Sequence, residues 1–310
     1  MAPTTTASGS AEALLGVPRP VRTRRPLGAW RRLRGIGWEV GTGATILIAL
    51  AGFALAAPLI GDPYQIDANG LSETGRPLSV GAAGHLLGTD ALGRDMLARL
   101  AEAGRSTLLI AVLTNILSVG VGGFVGLVAG YFRGATEVVL MRLTDIFLSV
   151  PTVISGLALA SVIGTGLLGI VAVVTTLYWA WTARMVYGET LALRNRGFVE
   201  AAKAQGVGSL TIIRRHVLPH LASLIMIIAA LNGAAVVAIG SGLSYLGAGI
   251  QPPTPEWGNM LDEGQLAIGY APHLIVEPLI FIVATILAFV MIADGLARIG
   301  SARRKSWLDI

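Results

Sequence analysis

Apolar residues along this chain fall in blocks near twenty long, separated by polar stretches, and not in the stripes of period 3.6 or 2 that mark half-buried elements. A helix rising 1.5 Å per residue needs about 20 apolar residues to cross a hydrocarbon core about 30 Å thick. Six blocks fit that length: roughly Val40–Ile60, Leu108–Gly130, Val150–Gly166, Leu167–Tyr187, Leu221–Leu243 and Leu274–Leu296. The third and fourth belong to one long apolar run, which the turn signal Gly164-Thr165-Gly166 divides. The pattern predicts an all-α integral membrane protein with about six transmembrane helices. Ala54-Leu55-Ala56 resembles a signal-peptide cleavage site, but the apolar stretch is longer than a signal h-region and almost forty residues precede it, so the first block is read as an uncleaved anchor.

Composition agrees: 54% of residues are hydrophobic, 13% are charged and mean hydropathy is +0.70, against about a quarter charged in soluble domains. The placement of charge gives orientation. An even number of spans puts both termini on one side. With the N-terminus inside, the inner segments collect seven arginines within the first 34 residues (Arg19 to Arg34), then Arg133, Arg142, Arg184, Arg194, Arg196, Lys203, Arg214, Arg215 and Arg298 through Lys305. The outer segments keep Arg76, Arg94, Arg99 and Arg105 beside a larger set of Asp and Glu. Both ends are therefore expected in the cytoplasm. The net charge of +5 then belongs to solvated tails and loop ends beside a bilayer, not to a nucleic-acid-reading face, and no nucleic acid is expected as a partner.

The expected organisation is a basic tail (residues 1–39), a first transmembrane helix (40–60), an external loop with a polar re-entry segment (61–104), a five-helix core (105–297) and a C-terminal tail (298–310). Within the core lie an inner loop at 188–220 and an outer loop at 244–273. Residues 2–13 are a Thr/Ser/Ala-rich start.

The inner loop is the informative part. Phe198 to Gln205 is a good helix former bounded by Gly197 and Gly206. Glu200 stands in its first turn, where a carboxylate suits the helix dipole, and Lys203 is placed to pair with it at i,i+3. Two turns are too short to be stable alone, and Ala201 and Ala202 leave a flat face for another surface. A second short helix is expected from about Ser209 to Val217, with Leu210, Ile213 and Val217 on one side and Pro219 ending it.

The spacing Glu200-Ala201-Ala202, three residues, Gly206, nine residues, His216-Val217-Leu218-Pro219 resembles the EAA loop of ABC importer permeases. His85-Leu86-Leu87-Gly88-Thr89-Asp90-Ala91-Leu92-Gly93-Arg94-Asp95 is similar to the stretch before the permease core in the dipeptide, oligopeptide and nickel branch. Ser244 to Leu261, with Tyr245-Leu246-Gly247-Ala248-Gly249 and Pro252-Pro253-Thr254-Pro255-Glu256-Trp257-Gly258-Asn259, is similar to that branch's loop before the last span. His216 departs from the isoleucine frequent in the general pattern, though histidine is familiar there in the peptide branch. The resemblance covers about residues 40–297 and implies a type I ABC importer permease fold and a C-type subunit. It further implies ATPase coupling through Glu200, Ala201, Ala202, Gly206, Leu218 and Pro219, and location in the bacterial cytoplasmic membrane. The implied partners are a homologous permease, two cytoplasmic ATPases that bind ATP and Mg, and an external substrate-binding protein. The chain itself is expected to hold no cofactor.

Other residues bear on rival readings. Ser118, Gly122, Gly126 and Gly130 recur every four residues, a small-xxx-small stripe for close helix packing. Asn115 and Asn232 lie within spans and are candidates for the translocation path, the alternative being an interhelical hydrogen bond. Asp145 and Asp294 sit near the inner interface, and Pro151 shapes the start of the third span. The Gly/Pro-rich outer loop suits either a gate or a cap. The absence of cysteine excludes disulfides and thiolate metal sites, and the four histidines fall in three separate loops, so no metal site is expected. No G-x-x-x-x-G-K-[ST] occurs, so energy comes from another chain or an ion gradient. An ion-coupled secondary transporter needs acidic residues at mid-membrane and repeat symmetry, neither of which is evident. An intramembrane serine protease built on Ser241 lacks a histidine base within a span, and no catalytic residue is assigned. Within the importer branch the resemblance implies a di- or oligopeptide cargo, with nickel or another small solute as the alternative.

Overall fold

Helices account for nearly all regular structure in the computed structural model, which describes residues 37–308, with side chains described for 37–300. The arginines of the N-terminal tail lie outside the described residues. The helices are α1 (Trp38–Leu55), α2 (Ala57–Ile60), α3 (Met96–Phe132), α4 (Gly134–Leu148), α5 (Thr152–Ile163), α6 (Leu167–Arg194), α7 (Gly197–Ala204), α8 (Ser209–Ile212), α9 (Leu218–Tyr245), α10 (Trp257–Gln265) and α11 (His273–Leu308). Among the described residues the only β pairing is three isolated bridges in the segment before α3, at Ile66–Arg94, Leu71–Pro77 and Thr89–Asp95. Five helical segments are long and apolar enough to cross a bilayer (α1, α3, α6, α8 through α9, and α11), and there are six if the bent pair α4/α5 counts as one broken span.

Three expected boundaries are corrected. The second span begins at Met96, not Leu108, so the last turns of the supposed re-entry segment are the span's own continuation. Asp95 caps it, its Oδ1 accepting from the Ala98 amide at 2.9 Å. Arg99, Glu102 and Arg105 interrupt the apolar run there without interrupting the helix. The third span is not one helix over 150–166. Its α5 has 12 residues, about 18 Å at 1.5 Å per residue and too short for the core, and α4 precedes it at 92°. Pro151 is the N-cap of α5 and lies outside its interior. A proline N has no proton to continue α4's ladder, and it drives Val150 toward extended backbone. At the other end of α4, Arg133 (φ 59°) and Gly134 (φ 65°) make the reversal from α3. At the C-terminus, α11 runs on to Leu308, so residues expected as a tail from 298 are largely helical.

The small-residue stripe decides how the core packs. α3 lies along α6 so closely that a Cβ on Gly122 would meet the Trp179 carbonyl and stand 2.6 Å from Thr182 Cβ. One on Gly126 would be 2.9 Å from the Tyr187 amide, and one on Gly130 2.7 Å from Thr190 Cβ. Ser118, at the N-terminal end of the stripe, is fully buried. The first span joins the bundle through α11: Gly43 faces the Ala288 carbonyl, Gly295 faces Val40, and Arg298 donates to the buried Glu39 at 2.7 Å.

Gly126→Leu is expected to force α3 from α6 at a cost of about 1–3 kcal/mol, lowering the thermal unfolding midpoint of the detergent-solubilised protein by at least about 2 °C. Gly123→Leu, whose added Cβ meets nothing within 4 Å, is the control and leaves the midpoint unchanged. Equal midpoints for the two variants would contradict the packing assignment.

Candidate functional site

The EAA-like segment folds as a helical knob. α7 spans Gly197–Ala204, with Glu200 in its first turn and Lys203 in its last. Val199 is fully buried and Ala202 nearly so, while Glu200, Ala201 and Ala204 are exposed. The flat face expected from both alanines is therefore divided: Ala202 roots the helix and Ala201 faces outward beside Glu200. The root is a cluster of Tyr131 from α3, Val186 and Leu193 from α6, Ile212 from α8, Val217, and Leu221 from α9. Gly206 ends the knob at φ +76°, a left-handed conformation that costs a side-chain-bearing residue roughly 1 kcal/mol or more. Its amide donates to the Lys203 carbonyl at 3.0 Å, and the Val207 amide donates to Ala202 at 3.1 Å.

The second helix differs from expectation. After α8 the chain makes a π turn over Ile213–Val217 and runs directly into α9. Pro219 therefore does not end a helix. It sits in the first turn of α9, and the widened turn ahead of it relieves the clash that its ring would make with the Arg215 carbonyl in α geometry. The extra residue also shifts the helical phase. Ile212 and Val217 are buried, five apart, whereas Leu210 is exposed and Ile213 only half-buried. Leu218 and Pro219 are exposed beside the knob.

Aromatic and charged contacts fix the knob further. The Phe198 ring stacks on His220 at 5.1 Å and lies 6.3 Å from His216. The His220 ring Nδ1 is 2.6 Å from the His216 carbonyl. Lys203 Nζ lies 5.5 Å from the Tyr131 ring centre. Desolvation there, with Arg194 adding to it, lowers the Lys203 pKa from its ordinary value against the opposing pull of Glu200.

At the other end of the bundle the 244–273 loop folds into the protein. Trp257 is fully buried and its indole N–H donates to the Leu100 carbonyl at 3.1 Å. Glu256 caps α10 in a reciprocal box with Asn259 and accepts from Thr107 Oγ1 at 2.9 Å. Burial raises the Glu256 pKa, against hydrogen bonds from the Gly258 amide, the Thr107 hydroxyl and the Asn259 amide that lower it. Asn259 Nδ2 reaches the Ile250 and Thr254 carbonyls, both at 2.9 Å, and so pins the Pro252-Pro253 turn. An ion network sequence reasoning did not find holds α10 to α3. Arg99, with no exposed side-chain surface, donates to Glu263 at 2.6 Å and lies 3.2 Å from Asp90, while Arg94 pairs with Asp90 at 2.6 Å and Glu263 at 3.3 Å. Arg99 and Glu263 are 164 positions apart, beyond the reach of any local pattern.

The two asparagines are tied between helices. Asn115 Nδ2 donates to the Ala229 carbonyl and Asn232 Nδ2 to Thr182 Oγ1, each at 2.8 Å. Asp145 pairs with Arg184 across α4 and α6. Ser241 Oγ is buried without a hydrogen-bond partner among the described residues.

Residues 122–306 match the model of a family described as binding-protein-dependent transport system inner membrane component. The glutathione transport system permease protein GsiD of Pectobacterium atrosepticum is 32% identical over 267 residues, covering 86% of this chain and 87% of that protein. The oligopeptide transport system permease protein OppC of Haemophilus influenzae is 36% identical over 212 residues, 68% of each. In fold, the chain is similar to the inward-facing MetNI methionine ABC transporter, with a TM-score of 0.55 at 20% identity over 67% of this chain and 97% of that one.

Removing one member of the ion network leaves a buried guanidinium under-compensated. Glu263→Gln is expected to destabilise the protein toward the lower end of the roughly 3–5 kcal/mol typical of a broken buried pair, since Glu263 is 27% exposed. Arg105→Gln, in the exposed pair with Glu102, should cost less than about 1 kcal/mol. Equal shifts in denaturant-unfolding midpoint would refute the lock.

Proposed function

The chain belongs to the binding-protein-dependent transport system inner membrane component family and is a permease subunit of an ABC importer, and from that premise we propose that it carries di- or oligopeptides into the cytoplasm as the C-type member of a permease heterodimer. The names of its relatives, glutathione and oligopeptide permeases, support the peptide class. In this reading two ATPase subunits bind ATP and Mg, an external binding protein delivers the cargo, and the chain does no covalent chemistry and has no ATPase site of its own. Both termini and α7 face the cytoplasm, in keeping with the excess of Arg and Lys on that side.

The observation that carries the proposal is the build of the knob. It presents Glu200, Ala201 and Ala204 outward while Val199 and Ala202 are rooted among α3, α6 and α9. A short helix that is unstable alone is thereby held rigid enough to pass a push from a docked ATPase into three spans. Glu200, Ala201, Leu218 and Pro219 are assigned to the docking surface, Ala202 to the root and Gly206 to the turn that sets the knob's angle. Asn115 and Asn232 are assigned first to helix pairing, with Asn232 also reaching the path discussed below. The organisation into a first helix, an outer segment and a core of further spans follows the same reading.

The double variant Glu200→Ala/Gly206→Val is expected to reach the membrane at normal abundance and to lose ATP-driven uptake of labelled peptides by at least about ten-fold, a coupling loss of roughly 1.4 kcal/mol or more. Uptake at the wild-type rate would sink the coupling assignment.

A further inference from the structure

Where the α4/α5 break meets α6 and α9, an open-sided cavity of ≈ 410 Å³ is lined by Leu148, Thr152, Tyr178, Trp181, Asn232 and Ala235 among others. Tyr178 stands eleven residues in from the start of α6 at Leu167, about 17 Å along the helix and near the middle of a 30 Å core. Its volume is within the range of small-molecule sites, about 300–1,000 Å³. Trp181 (37% exposed) and Leu148 (42%) leave one side uncovered by this chain.

The chemistry of the lining is specific. No charged side chain, imidazole or thioether borders the cavity. Asn232 is fully buried, its Nδ2 is spent on Thr182, and its Oδ1 has no partner among the described residues. A buried acceptor left unpaired costs about 1–3 kcal/mol, a cost that an N–H donor admitted to it by a small side-chain shift would remove. Tyr178 donates to the Ala235 carbonyl only at 3.5 Å, a weak bond that a better acceptor would displace. Thr152 adds an exposed hydroxyl on the α5 side.

We infer that this cavity is a cargo-contact site that recognises the uncharged main chain of a peptide. An amide N–H donates to Asn232 Oδ1, a peptide carbonyl accepts from Tyr178 or Thr152, and apolar side chains rest on Trp181 and Leu148. The amide is the unit common to every peptide sequence, and a neutral unit avoids the cost of placing an unpaired charge at mid-membrane. A bare divalent cation would need carboxylate, imidazole or thiolate ligands, which this lining lacks. The inference rests on the peptide-import reading and names where and how that cargo is held.

The chain contains no cysteine, so single thiols report cleanly. Thr152→Cys and Leu231→Cys border the cavity, and Val162→Cys, 84% exposed and outside it, is the reference. Each is placed in the complete transporter, with partner thiols removed, in proteoliposomes and labelled with a small uncharged maleimide, with and without trialanine or pentaalanine. At a peptide concentration about ten times its dissociation constant, labelling at 152 and 231 should slow on the order of ten-fold, while labelling at 162 stays constant. Unchanged labelling at 231, whose side chain is assigned no contact with the peptide, in Leu231→Cys vesicles that import the same peptide would overturn the site and leave the peptide reading intact. Wild-type vesicles that import neither peptide would overturn the peptide reading itself, and the site with it.

Discussion

Inside a hydrocarbon core an unpaired N–H or C=O costs several kcal/mol, so each irregular stretch of this chain has to lie where protein supplies partners. The breaks obey that constraint. The Gly166 amide at the α5–α6 junction donates to the Gly249 carbonyl at 3.0 Å, so the turn between two spans and the loop that follows α9 complete each other. The Ile250 and Thr254 carbonyls, on either side of the Pro252-Pro253 turn, accept from Asn259 Nδ2. The π turn before Pro219 keeps the helix hydrogen-bonded through a position where an α geometry would clash. The 244–273 loop, the α4/α5 break and the α7 knob are thus departures from regular helix that the rest of the bundle makes tolerable.

One helix joins the two functional ends. α3 starts from the Asp95 cap beside the ion network, receives the Trp257 indole at Leu100, and packs its glycine stripe along α6. In its last turn Tyr131 lies under Lys203 and within the root of α7. Its 37 residues reach about 55 Å, more than the core thickness, so it extends past the hydrocarbon. Because Gly122, Gly126 and Gly130 bring its backbone against that of α6, the two helices are built to move as a unit. Under the proposed coupling, a displacement of α7 is carried by the α3/α6 pair, and the Arg99–Glu263 network lies on the same α3.

What the sequence made legible was what depends on near neighbours. The apolar runs gave the spans, Gly164-Thr165-Gly166 gave the division of the third from the fourth, and the four-residue recurrence of small side chains gave the α3 packing face. Gly206 was legible as the end of the knob because a helix stop and a glycine coincide. The early start of α3 was hidden because hydropathy falls at Arg99, Glu102 and Arg105, whereas the helix needs only its cap and its ladder. The π turn was hidden because a proline one turn into a helix reads as a terminus, and widening by one residue leaves no local mark. The Asp90–Arg94–Arg99–Glu263 network and the bonds of Glu256 to Thr107 join residues far apart in the chain, so only the fold brings them together.

The distribution of polar groups with depth bears on where the energy for transport enters. The charged networks lie toward the ends: Asp90, Arg94, Arg99 and Glu263 at one, Glu39 with Arg298 and Asp145 with Arg184 toward the other. Between them amides and hydroxyls also tie helices together, as in Asn115 with Ala229 and Asn232 with Thr182, the last lying two residues along α6 from Arg184. A proton- or ion-driven carrier places charged or readily titrated groups along its path, and among the described residues no carboxylate, imidazole, amine or guanidinium lines the mid-membrane cavity. Neutral hydrogen-bonding groups can hold an amide but cannot store the free energy of an ion gradient. Under the proposed coupling that free energy arrives as displacement of α7. The buried root of Val199 and Ala202 is then the feature that converts an ATPase motion into movement of the spans around the cavity.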